Sequence, residues 1–220
     1  MPRIIRDNGL TIVLMMMFLV SIVGQWLAGW KVENENLGRH GEHLLTGWQY
    51  LGSASFISSV FENWESEFLQ MSTYVVLTSI LVQRGSSESR DPDKPPRDGL
   101  PEEAAKIEGS PGALQRGPLV RWLYAHSLGL TLFTLFVLSF VVHWTNSARV
   151  AAQEAEAHGE TQVDLLWYLV DPQLWFESFQ NWQSEFLSTA VLVVLSIFLR
   201  HQNSPESKAL SAPNSQTGQE

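Results

Sequence analysis

The 220-residue chain contains no cysteine. This absence excludes disulfide bonds, thiolate zinc sites, cysteine-ligated iron–sulfur clusters and a cysteine nucleophile. Glycine-rich phosphate loops, the His-Glu-x-x-His zinc helix and the Gly-x-Ser-x-Gly nucleophile elbow are also missing from the sequence. Nor is there a basic stripe with interleaved aromatic residues, which is typical of nucleic-acid binding. We therefore expect no cofactor, no nucleic-acid partner and no enzymatic activity.

Charged residues are missing from two long apolar segments. Between Asp7 and Lys31 there are 23 residues without Asp, Glu, Lys or Arg, and between Arg121 and Arg149 there are 27. A helix needs about 20 apolar residues to cross a bilayer core of about 30 Å. A soluble helix of this length would have a charged face. Both segments are predicted to span a membrane, and the counterpart at 122–144 argues against a signal peptide for the first.

The sequence contains an internal repeat. Displacing the chain by 118 positions aligns 3–90 with 121–208 without a gap, and 27 of the 88 aligned pairs are identical. The strongest match pairs 61–69 with 179–187. Each repeat consists of a long apolar segment, a polar loop and a second helical segment. This pattern predicts an all-α, polytopic membrane protein with four transmembrane helices from two tandem helical hairpins.

The predicted boundaries follow from this alignment. Repeat 1 covers 3–90, with helices at about 8–30 and 54–84, and repeat 2 covers 121–208, with helices at about 120–146 and 172–202. The second helix of each repeat, helices 2 and 4 of the four, begins with an amphipathic extension. The polar, Pro- and Gly-rich segment 85–117 is predicted to be a disordered linker, and 204–220 a disordered tail.

The orientation in the membrane is predicted from the positive charges. Eleven Lys and Arg residues lie in the N-terminal segment, the linker and the C-terminal end, whereas three lie in the two loops on the opposite side. Cytoplasmic segments carry the excess of Lys and Arg. Both termini and the linker are therefore expected in the cytoplasm.

The second helix of each repeat brings a carboxylate into the predicted membrane. Only 16 uncharged residues separate Glu67 from Arg84, and 14 separate Glu185 from Arg200. Because neither run spans the bilayer, each helix must extend outward past its glutamate. Carboxylates at such a depth usually face a bundle interior or a water-filled cavity. Trp64 and Trp182, with Trp26 and Trp144 of the first helices, are expected at the membrane interface.

Polar residues at helical spacing extend this pattern into a candidate intramembrane site. We expect His143 to contact Glu185 or Glu67, because the three lie at similar depth. The alternative interpretation is that these residues only make hydrogen bonds between helices, worth about 1 kcal/mol each or less. The candidate residues are Asn63, Glu67, Gln70, Asn181, Glu185, Ser188, His143 and Gln25.

A second polar pattern lies in the loops. His40 and Glu42 in repeat 1 match His158 and Glu160 in repeat 2, and His with carboxylate is a ligand set that suits divalent metals. The glycine between each pair indicates a turn. A turn stabilised by a histidine side chain is the preferred interpretation, so no metal site is predicted.

The run Phe-Glu-Asn-Trp-Glu-Ser-Glu-Phe-Leu-Gln at 61–70, with Arg-Asp-Asn-Gly-Leu at 6–10, resembles an uncharacterised bacterial membrane-protein family, a domain of unknown function. The second repeat departs from this run at Gln180 and Gln183. The resemblance implies bacterial origin and a place in the cytoplasmic membrane. The expected partners are the lipid bilayer and a second copy or another membrane protein. A structural or partner-binding role is predicted; the alternative is a small proton- or ion-linked transporter or channel.

Overall fold

The computed structural model describes residues 3–95, 98–159 and 163–218. Within these residues the protein is all-helical, with seven α-helices, one 3-10 helix and no strand. The elements in chain order are α1 (Arg3–His40), α2 (Gly47–Leu51), α3 (Ala54–Ile80), α4 (Pro101–Ala104), α5 (Pro118–Ala125), α6 (Ser127–Ala157), the 3-10 helix (Trp167–Val170) and α7 (Pro172–Phe198).

Several structural features of the two halves coincide at an offset of 118 residues. Helices α3 and α7 each contain 27 residues and begin at Ala54 and Pro172. Helix α1 has non-helical backbone at Asn8, with φ −131° and ψ 17°, and the break between α5 and α6 falls at His126, with φ −111° and ψ 8°. Positive φ follows the long helices at Gly41 and Gly159, where glycine tolerates this conformation.

The helices differ in length from the predicted ones. Helix α1 continues past position 30 to His40, and this extension contains no proline. The Asn34 side chain secures this extension, since its Nδ2 donates to Leu45 O at 2.9 Å and its Oδ1 accepts from Leu45 N at 2.7 Å. Helices α3 and α7 each end four residues before the predicted position, at Ile80 and Phe198.

Two of the described helices are long and apolar enough to cross a membrane, and they are Ile4–His40 and Ser127–Ala157. None of the residues in the most apolar window of the first helix is buried. Helices α3 and α7 are not among these spans, and each carries glutamate residues in its first half. The prediction of four spans therefore goes beyond what hydropathy supports in the described helices.

The chain divides into two compact units. The first comprises Met1–Phe61 with Val142–Leu169, and the second comprises Glu62–Val141 with Val170–Glu220. In the first unit the buried apolar side chains include Tyr50, Phe56 and Tyr168. In the second unit Leu114, Leu132 and Leu174 are buried. A larger set of polar side chains is buried there too: Glu65, Ser66, Ser72, Ser86, Ser87, Ser89, Ser139, Ser178, Ser196, Lys208 and Thr217.

Candidate functional site

A fully buried carboxylate joins α3 to α7 in the second compact unit. Glu65 has no exposed surface, and its Oε1 accepts hydrogen bonds from Ser178 Oγ at 2.8 Å and Trp182 Nε1 at 3.1 Å. Ser178 and Trp182 are four residues apart on α7, so both side chains lie on the same face of that helix. A buried carboxylate requires such donors, because leaving it without hydrogen bonds would cost several kcal/mol.

A second carboxylate lies one turn earlier on α3. Glu62 Oε1 accepts from Asn181 Nδ2 at 2.5 Å, and the same Asn181 Nδ2 also lies 3.1 Å from the Glu177 carbonyl oxygen. Carboxylate oxygens of Glu62 and Glu177 lie within 4.8 Å of each other. Together with Glu65, these residues form an acidic layer of three carboxylates between α3 and α7. A set of this kind can hold or pass protons, or bind a cation.

Further polar contacts connect α3 and α7 away from the acidic layer. Two turns beyond Glu62, Gln70 Nε2 donates to Thr189 Oγ1 at 2.7 Å. Past the end of α3, the hydroxyl oxygens of Ser86 and Ser196 lie 2.8 Å apart. The two helices are thus joined by side-chain hydrogen bonds along their length, as expected for helices that meet away from water.

Aromatic rings surround the indole that donates to Glu65. The ring of Trp182 is nearly perpendicular to those of Trp175 and Phe179, with interplanar angles of 89° and 85° and centroid distances of 6.2 and 5.4 Å. Phe136 also meets Trp182 edge-on, at 6.2 Å. Edge-to-face contacts of this kind are favourable and fix ring orientation. The aromatic cluster therefore holds the Trp182 N–H in place toward the carboxylate.

Only some of the residues predicted for the intramembrane site lie at the contact between α3 and α7. Asn181 and Gln70 take part in it, whereas Asn63 and Glu67 are exposed. Glu185 is half-buried, and Ser188 is exposed and bonds to the Glu185 carbonyl of its own helix at 2.9 Å. The described hydrogen bonds from carboxylates of α3 to α7 involve Glu62 and Glu65.

Four residues of the acidic layer were missed by the sequence prediction, namely Glu62, Glu65, Glu177 and Ser178. A signal existed in the repeat alignment, because the equivalents of Glu62 and Glu65 are Gln180 and Gln183. A charge present in only one copy of an otherwise matched run marks a position where the two copies differ in environment. No such signal identifies Ser178, since its equivalent is Val60.

The other two predicted site residues lie in the first compact unit. His143 is fully buried there, and Gln25 Nε2 donates to Ser59 Oγ at 3.2 Å. Glu67 and Glu185 belong to the second unit, so the pairing of His143 with either glutamate stays a prediction.

The interface tryptophans of the first unit bind the chain that follows their helices. Trp26 Nε1 donates to Gly47 O at 2.8 Å, and Trp144 Nε1 donates to Leu165 O at 3.0 Å. Both donors and both acceptors are 118 residues apart. Trp64 and Trp182 are half-buried in the second unit. An indole combines an apolar ring with a polar N–H, and this combination suits a membrane interface.

The weak metal candidates lie in exposed helix ends. The Nδ1 atoms of His40 and His158 lie 2.9 and 2.8 Å from the carbonyl oxygens of Asn36 and Glu154, four residues earlier in each case. Glu42 is exposed, and Glu160 lies outside the described residues. Each described histidine ring thus bonds to the last turn of its own helix, next to a glycine with positive φ.

Comparison with known proteins gives a family but no function. No curated protein and no solved structure matches the chain. A family model described as a domain of unknown function, DUF6766, matches residues 1–219. The match covers almost the whole chain, including both helices that are apolar enough to cross a membrane and the acidic layer between α3 and α7. The chain therefore belongs to the DUF6766 family.

Proposed function

We propose that this protein is a multi-pass component of the bacterial cytoplasmic membrane, with four spans, cytoplasmic termini and a structural or partner-binding role. The observation that carries the proposal is the bare apolar surface of α1. Val20 is 73% exposed and Leu10 is 75% exposed, and no residue in the most apolar window of the helix is buried. Such a surface is stable only against lipid or another protein.

The length and pairing of α3 and α7 support two further spans. A helix of 27 residues is about 40 Å long, which exceeds the bilayer core of about 30 Å. Polar residues within membranes face other helices and pair with one another. The contacts of Glu65 with Ser178 and of Gln70 with Thr189 are of this kind. These paired groups favour a packed structural protein over an open channel.

A spin label tests the placement of α1 in lipid. The chain has no cysteine, so a nitroxide attached to Val20→Cys reports that position alone. In liposomes we expect relaxation by oxygen, which concentrates in the acyl chains, to exceed relaxation by a water-soluble nickel chelate. Arg39→Cys, at the polar end of the same helix, is the matched control and should show the reverse. A Val20 label that responds mainly to the nickel chelate would refute the membrane placement.

One observation favours proton-linked transport as the second candidate function. Glu65 is a carboxylate with no exposed surface, and two more carboxylates, those of Glu62 and Glu177, complete its layer. Under this reading Glu65→Gln abolishes pH-driven flux into proteoliposomes while the protein stays folded. Glu67→Gln, an exposed position on the same helix, is the matched control and retains flux. Equal flux in both variants would remove the transport candidate.

A further inference from the structure

The same turn is built twice, once after α3 and once after α7. In each turn a serine side chain accepts from the backbone N–H six residues earlier, and another serine accepts from the N–H two residues later. The first clasp turn, 83–90, and the second clasp turn, 201–208, are related by the 118-residue offset. The four bonds are Gln83 N to Ser89 Oγ (3.0 Å), His201 N to Ser207 Oγ (2.9 Å), Glu88 N to Ser86 Oγ (3.1 Å) and Glu206 N to Ser204 Oγ (3.2 Å).

The tail after the second clasp turn returns to the first one. Thr217 Oγ1 accepts from Gly85 N at 2.9 Å, and Gly218 N donates to Ser86 O at 2.9 Å. The two turns also meet directly, because Ser87 Oγ donates to the Glu206 carbonyl oxygen at 2.9 Å. Gly85, Ser86 and Ser87 are buried as a result. These contacts link the start of the predicted linker to the predicted tail.

The Lys208 ammonium binds the tail to the first clasp turn. Lys208 is 2% exposed, and its Nζ lies within hydrogen-bond distance of four backbone carbonyl oxygens. The distances are 2.5 Å to Gly85 O, 3.0 Å to Gln216 O, 3.1 Å to Asn214 O and 3.4 Å to Pro213 O. Burial lowers the pKa of Lys208, and the nearby Arg200 lowers it further. The ammonium binds both the first clasp turn and the tail, so these two segments must separate from each other when the ammonium leaves.

A pair of carboxyl groups lies where the two turns meet. Glu88 is half-buried, and its carboxylate accepts from Tyr74 Oη at 3.1 Å and Ser87 Oγ at 3.3 Å. Its equivalent Glu206 faces it from the second clasp turn. Burial raises the pKa of Glu88, the negative charge of Glu206 raises it further, and the hydrogen bond from Tyr74 opposes both effects. Two carboxyl groups in contact share a proton more readily than they hold two charges.

We propose that residues 199–218 form a clasp over the C-terminal ends of α3 and α7, which is closed while the half-buried Glu88 carboxyl is protonated and loosens when that carboxyl ionises. The titratable groups that face Glu88 are Tyr74 on α3 and Glu206 on the second clasp turn. The direction follows from linkage: a carboxyl whose pKa is raised in the closed form stabilises that form at low pH. This stabilisation is lost as the pH rises through the raised pKa. The clasp is thus a pH-sensitive release device for the C-terminal tail.

Trypsin cleavage after Lys208 measures opening, because the buried lysine is accessible only when the clasp opens. Cleavage after Lys106, an exposed lysine of the same chain, corrects for the pH dependence of the protease. With purified full-length protein we expect the ratio of cleavage at Lys208 to cleavage at Lys106 to rise from pH 4.5, the ordinary pKa of a glutamate, to pH 8.5. The rise should be about tenfold for each unit by which closing the clasp raises the Glu88 pKa.

Two variants separate the proposal from a general effect of pH. Glu206→Gln removes the facing charge at an exposed position, so the ratio should stay low at pH 8.5. Glu42→Gln removes the same charge far along the chain and should behave as wild type. Hydrogen exchange of 209–218, followed by mass spectrometry, gives the same comparison without a protease. A ratio independent of pH in the wild type, or an equal rise in Glu206→Gln, overturns the proposal. Neither outcome bears on the membrane role proposed above.

Discussion

Ser178 Oγ donates a 2.8 Å hydrogen bond to Glu65 Oε1, and neither residue has any exposed surface. The contact joins α3 to α7 across 113 residues of sequence. It lies in the acidic layer on which the transport candidate depends, and it predicts how that layer responds to substitution.

Removing the donors of Glu65 should destabilise the protein. Ser178→Ala takes away one donor to a buried carboxylate, and we expect a loss of about 1–3 kcal/mol in the free energy of unfolding. Trp182→Phe keeps most of the aromatic contacts and removes the second donor, so it should cost a similar amount. Thermal unfolding in detergent measures both. Ser184→Ala is the matched control, because Ser184 is exposed and bonds only to the Asn181 carbonyl among the contacts described. Equal stability of Ser178→Ala and Ser184→Ala would mean that the Glu65 contact contributes nothing.

The Gln70–Thr189 contact should couple α3 and α7 weakly. A double-mutant cycle with Gln70→Leu and Thr189→Val isolates the hydrogen bond at 2.7 Å. We expect a coupling free energy of about 0.5–1.5 kcal/mol, the range measured for hydrogen bonds between membrane helices. Additive single effects would show that the two side chains act independently and that α3 and α7 do not pack through this pair.

Removal of the Lys208 ammonium should destabilise the closed tail but not helices α3 and α7. Lys208→Met removes a donor from four carbonyl oxygens, and only Pro213 O among them keeps another described donor, Gln216 N. Hydrogen exchange of 209–218 should then accelerate about tenfold or more, because an unmet buried acceptor costs about 1–3 kcal/mol. Exchange in α3 and α7 should stay as in the wild type. Unchanged exchange in the tail would show that the backbone contacts at Gly85 and Ser86 suffice to close it.

The parts of the fold that were predictable have strong local signals. Asp171 and Pro172 predict the start of α7, where Asp171 Oδ1 accepts from Gln173 N at 2.8 Å. The long uncharged segments predict α1 and α6 in the same way. Periodicity is less informative in 61–70, because Glu62, Glu65 and Glu67 all lie within two turns and only packing selects the buried face. Glu67 was predicted because it continues a helical spacing of polar residues with Asn63 and Gln70. In the structure the glutamate that accepts from Ser178 of α7 is Glu65.

Composition is a poor guide to the clasp. Segments rich in Gly, Ser and Glu are typical of disorder, and both 85–117 and 204–220 fit that description. The alignment nevertheless includes Ser86, Glu88 and Ser89 with their equivalents Ser204, Glu206 and Ser207, so a shared turn could have been inferred. The cage around Lys208 consists of backbone carbonyls, which every residue has. No residue pattern predicts it.

Labelling of two introduced cysteines in intact cells tests the four-span topology most directly. Trp48→Cys lies in the loop region expected outside, where Trp48 is 77% exposed, and Leu100→Cys lies in the linker expected inside, where Leu100 is 63% exposed. We expect a membrane-impermeant maleimide to label position 48 in intact cells and to label position 100 only after the membrane is opened. Labelling of position 100 in intact cells, or of neither position before the membrane is opened, would contradict it.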